Sequence, residues 1–92
     1  MRLRYKRRAI QHLRSIFSFI EQDNPRAASE VVARIERAVE RLTVAPHSAR
    51  PGPGPGTRLI AGPGLPCIVV YRVRGEAVQI TAILHTARNQ GF

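Results

Sequence analysis

Ninety-two residues, 43% hydrophobic and 23% charged, allow one domain with a modest core. Fifteen basic side chains against six acidic ones leave a formal charge of +9, which calls for an acidic protein or a nucleic acid as partner. No apolar run approaches the ~20 residues of a spanning helix, and none behind the basic N-terminus suits a signal peptide. The single cysteine, Cys67, excludes an internal disulfide and fits a reducing compartment, so a cytoplasmic protein with no membrane contact is expected. His12, His47 and His85 are scattered, with no carboxylate at ligand spacing, so neither a metal site nor a cofactor is expected.

The charge is spread along the chain: residues 1–46 carry ten basic and five acidic side chains, residues 47–92 five and one. Fourteen of the fifteen basic residues are arginine, the side chain that forms planar, bidentate contacts with carboxylate and phosphate.

Residues 2–5 alternate polar and apolar, as a short edge strand does. Ala9, Ile10, Leu13, Ile16, Phe17 and Ile20 then line one face of a helix over about 7–22. Its start has no capping side chain, and Lys6, Arg7 and Arg8 sit where the helix dipole disfavours cations. Asn24-Pro25 opens a second helix over about 25–43, with Asn24 as N-cap and Pro25 as first helical residue. The connection is so short that the two helices form an antiparallel hairpin.

Six of the seven prolines fall between 46 and 66, interrupted by a short strand at 57–60. Pro-Gly-Pro-Gly-Pro-Gly (51–56) is a spacer rather than a phosphate loop, because its prolines lack the N–H groups that would cradle an anion. Residues 66–73 and 77–84 read as strands joined by a turn at Arg74-Gly75-Glu76. The chain is thus a single α+β domain spanning 1–92: a short N-terminal strand, an antiparallel helical hairpin, then a three-stranded antiparallel sheet covered on one face by the helices.

Strand alternation locates candidate chemistry. It places Val78, Ile80, Ala82 and Leu84 in the core, and Gln79, Thr81, Ile83 and His85 on the open face. Cys67, Val69, Tyr71 and Val73 make the apolar side of the preceding strand, leaving Arg72 outside. With Leu59 inward and Arg58 outward, Arg58, Arg72 and His85 converge on the open face, and Arg88 lies just beyond it. Such a group holds a phosphate, rims a protein interface, or is simply solvated.

Asn24-Pro25, Ala27-Ala28, Gly56-Thr57-Arg58-Leu59, Ile68-Val69-Val70-Tyr71-Arg72-Val73 and Ile83-Leu84-His85-Thr86-Ala87-Arg88, in this order, resemble the ParE/RelE superfamily of bacterial toxins. The resemblance implies the toxic half of a type II toxin–antitoxin module, of the kind that stabilises plasmids, and neutralisation by a ParD-like antitoxin in a hetero-oligomer. RelE-like members cut messenger RNA on the ribosome, whereas ParE-like members inhibit DNA gyrase by direct binding. Ribonuclease members commonly carry an arginine where this chain has Ile68, a Glu or Lys base near the short strand, and a Tyr or His acid near the C-terminus.

RNA cleavage needs a base, an acid and cationic stabilisation. This short strand offers only Thr57 and Arg58, and a permanently protonated arginine is a poor base. The ending Leu-His-Thr-Ala-Arg is closer to ParE. The expectation is therefore a gyrase-binding toxin with no catalytic residues, using Arg58, Arg72, His85 and Arg88 on its target. The alternative is a RelE-like endoribonuclease in which those four residues act on RNA; a third option is an inactive or DNA-binding relative. No sequence-specific nucleic-acid binding by the toxin alone is expected. Arg8, His12 and Phe19, on the flank of the first helix, are the candidate antitoxin contacts. Cys67, on an apolar strand face, is expected to be an inert buried thiol.

Overall fold

The computed structural model describes residues 1–61 and 64–86. Its elements are β1 (Arg2–Tyr5), α1 (Arg7–Glu21), α2 (Pro25–Arg41), β2 (Arg50–Pro51), β3 (Arg58–Ile60), β4 (Cys67–Arg74) and β5 (Ala77–His85). The strands form one sheet in the order β1-β5-β4-β3-β2. β1 lies parallel to β5, and the other pairs are antiparallel.

The Asn24 side chain caps α2 by accepting from the Ala27 amide at 3.1 Å, and Pro25 takes the first turn. α1 has no side-chain cap at Lys6 and no acidic residue in its first turn. The helices bury Ala9, Ile16, Ile35, Val39 and Leu42 against Val69, Tyr71, Val78 and Ile80 of the sheet. Burying the apolar part of a Val, Ile or Phe-sized side chain contributes about 1.5–3 kcal/mol, so this single cluster carries the fold.

Two sheet details differ from simple alternation. Val70 pairs with Ala82 and Tyr71 with Ile80, so Thr81 is an extra residue and β5 bulges there. The Thr81 hydroxyl donates to the Val70 carbonyl at 3.1 Å at this break. Beyond the bulge the side-chain parity reverses: Ile83 and His85 turn to the helices, while Ala82 and Leu84 turn to the open face. In β3, Arg58 lies opposite Tyr71 and Leu59 opposite Val70, so Arg58 takes the helix side and Leu59 the open side.

The proline-glycine segment is a folded turn between β2 and β3. Gly52 N–H donates to the Thr57 carbonyl at 2.9 Å, and Gly54 N–H to the Thr57 hydroxyl at 3.0 Å. Two amides that the prolines leave available are thereby used internally, which accounts for the absence of an anion cradle at Gly52 and Gly54.

Candidate functional site

The three residues expected to converge are separated by the sheet. Arg72 faces the open side opposite Gln79, with its Nε buried and without a hydrogen-bond partner among the described residues. His85 sits on the helix side and is 4% exposed, its ring edge-on to Phe19 at 5.4 Å between centroids. The bulge at Thr81 put it there. Arg58 also lies on the helix side, where its Nη1 donates to the carbonyls of His47 at 3.0 Å and Ala49 at 2.9 Å. The β3 register explains that placement. Tyr71, opposite Arg58, donates its hydroxyl proton to the Pro46 carbonyl at 2.7 Å, so the pair pins the segment after α2. Burial raises the Tyr71 phenol, partly opposed by the Arg58 charge. Arg88 lies outside the described residues.

The three α1 residues divide as well. Arg8 and Phe19 are exposed. His12 is half-buried, and its Nδ1 accepts the Ile83 amide at 3.1 Å. β1 pairs with β5 only as far as Ile80, so beyond that point the outer edge of β5 has no strand neighbour among the described residues, and His12 supplies the acceptor from α1. Burial and the nearby Arg8 hold its pKa below the ordinary value.

The open face itself carries two chemistries. Cross-strand pairing sets Arg2 and Arg74 on either side of Ala77, and Arg4 and Arg72 on either side of Gln79. A hollow of about 400 Å³ lies among Arg2, Arg4, Arg74, Glu76 and Gln79. Farther along β4 and β5, Leu59, Ile68, Val70 and Leu84 line an apolar hollow of about 430 Å³ with Pro51 and Pro53. The alternation over residues 2–5 already signalled that Arg2 and Arg4 share a face. What it could not signal was that β1 docks beside β5, bringing them to Arg72 and Arg74.

Elsewhere, Arg34, Arg37 and Arg41 stand on α2 above Ala38, Leu42 and Ile60 around a cleft of about 570 Å³. Cys67 is 1% exposed, and burial pushes its thiol up to about 11, so it is not a nucleophile at neutral pH. Among the described residues no cluster of His, Cys, Asp and Glu could hold a metal ion, and no helix is long and apolar enough to cross a membrane.

Comparison with known proteins agrees with this architecture. Residues 3–90 match the family described as ParE toxin of type II toxin-antitoxin system, parDE. The chain is 40% identical over 84 residues to the protein Y4kP of Sinorhizobium fredii, covering 91% of this chain and 86% of that one. It is 40% identical over 74 residues to Toxin RelE1 of Caulobacter vibrioides, covering 78% and 77%. Among solved structures it resembles a chain of the chromosomal ParDE TA system from P. aeruginosa, with a TM-score of 0.83, 27% identity, and coverage of 92% and 95%. By sequence over nearly its whole length, and by a sheet and helical hairpin that superpose on that structure, the chain belongs to the ParE toxin family of type II toxin–antitoxin systems.

Proposed function

We propose that this toxin inhibits DNA gyrase by direct binding and is held inactive by a ParD-like antitoxin. The observation that carries the reading is Ile68. The superfamily resemblance puts a ribonuclease arginine at this position, and here it lies in an apolar hollow with Leu59, Val70 and Leu84. His85, the remaining acid candidate among the described residues, is buried against Phe19 on the opposite side of the sheet. Among the described residues, RNA laid over Ile68 would meet neither a base nor an acid in the hollow around it, whereas an apolar, arginine-flanked surface suits a protein partner. Arg72 remains a target contact on this reading, together with Arg88. Arg8 and Phe19 remain antitoxin contacts, while Arg58, His85 and His12 act through the fold.

The name of the Caulobacter relative favours RelE-type activity as the second reading. One pair of assays separates the two. Purified toxin is expected to inhibit gyrase supercoiling and to leave mRNA on translating ribosomes intact. Codon-registered cleavage that vanishes in His85→Ala would install the ribonuclease instead.

A further inference from the structure

Fourteen of the fifteen basic residues are arginine, and protein interfaces enrich arginine while depleting lysine. On the open face Arg2, Arg4 and Arg74 line a hollow in which Glu76 is the one carboxylate among the described residues, and the buried Arg72 Nε has no acceptor among them. Four like charges on β1 and β4, facing each other across β5, repel one another, and one carboxylate does not balance them. An anionic partner relieves that repulsion. The apolar half of the same face offers nothing to a phosphate backbone, yet it is the kind of exposed surface that marks a protein contact.

We infer that this face docks one acidic, amphipathic segment of the target protein. Its apolar side chains seat on Leu59, Ile68 and Leu84, and its carboxylates meet Arg4 and Arg72. The inference rests on the reading that the toxin acts by binding a protein target. Ile68 and Arg72 are four residues apart on β4, roughly 13 Å at the rise of a strand. The segment must therefore place its acidic centre about nine residues from its apolar anchor if helical, or about four if extended.

The test uses purified gyrase holoenzyme, a 20-base-pair DNA duplex and growth inhibition in cells, read in parallel on four proteins that keep wild-type circular dichroism. These are wild type, Arg4→Glu/Arg72→Glu, Ile68→Glu, and a control of equal charge change on α2, Arg34→Glu/Arg37→Glu. Both open-face variants are expected to lose gyrase affinity about thirtyfold or more, and the control to stay within a few-fold. Wild-type affinity in the open-face variants, or equal loss in the control, overturns the site. DNA binding that Arg4→Glu/Arg72→Glu abolishes and Ile68→Glu spares makes the occupant a nucleic acid and overturns the protein segment. If wild type ignores gyrase yet both open-face variants lose toxicity and the control does not, the face stands and the gyrase assignment falls. If toxicity is unaffected as well, both fall.

Discussion

The His12 imidazole accepts the backbone N–H of Ile83 at 3.1 Å, joining α1 to the part of β5 that lies beyond its pairing with β1. An acceptor nitrogen must be unprotonated, so the bond exists only with neutral His12 and its proton on Nε2. This makes the contact sensitive to pH.

Burial, with Arg8 nearby, holds the folded pKa of His12 below the ordinary 6.5. Between the two values the unfolded chain binds more protons than the folded one, so stability falls as pH drops through 6.5 toward the folded pKa. Urea denaturation between pH 5.5 and 8 should show this decline. His12→Gln, which keeps an acceptor, should flatten it. A profile identical to wild type in the glutamine variant would mean that another group drives the dependence.

Arg58 and Tyr71 form a clamp on the segment from Pro46 to Ala49. Tyr71→Phe removes one neutral hydrogen bond and should cost about 1 kcal/mol, and Arg58→Ala, which removes two charge-assisted bonds, about 2 kcal/mol or more. In a domain of this size each kcal/mol lowers Tm by roughly 4–8 °C. Arg58→Ala should therefore lose toxicity in proportion to its melting temperature. Full stability with lost toxicity would return Arg58 to the target surface.

Gly52 closes the proline-rich turn at very short range. A β-carbon there would stand 2.6 Å from the Thr57 hydroxyl and 3.2 Å from the Arg58 backbone. Gly52→Ala should destabilise the β2–β3 turn by about 1–3 kcal/mol, as overpacking does. Thr57→Ala, which gives up the hydroxyl's bonds to Gly54, should cost less in this background than in wild type, because the closest clash is removed with it. Additive losses in the double variant would locate the strain in the backbone instead.

Cys67 should resist thiol reagents in the folded protein. With 1% exposure and a thiol pushed up to about 11, it presents almost no thiolate at neutral pH. Labelling should track unfolding in denaturant. Rapid labelling of native protein would show that the end of the sheet near Cys67 opens locally.

The helices were legible because their apolar stripes and the Asn24-Pro25 cap are local signals. Cys67, Val69, Tyr71 and Val73 were legible because Arg72 and Arg74 fix the parity of β4, which carries no extra residue of its own. His85 was misplaced for a specific reason. Residues 82–84 are Ala-Ile-Leu, apolar at every position, so they carry no parity that could reveal the extra residue at Thr81. The bulge is written in the pairing with β4, not in β5. The arginine group on the open face was half legible for a related reason: alternation grouped Arg2 with Arg4, and Arg72 with Arg74, but joining the pairs required β1 to dock beside β5.

That docking also sets an order of events during synthesis. β1 pairs with β5, which follows it after both helices and three other strands, so Arg2–Tyr5 must wait until Ala77–His85 has emerged. Contacts so distant along the chain close late and slow folding. Until they close, the outer edge of β5 is unpaired, and Arg2 and Arg4 are not yet beside Arg72 and Arg74. A nascent chain of this topology cannot assemble its arginine surface until β5 has been made.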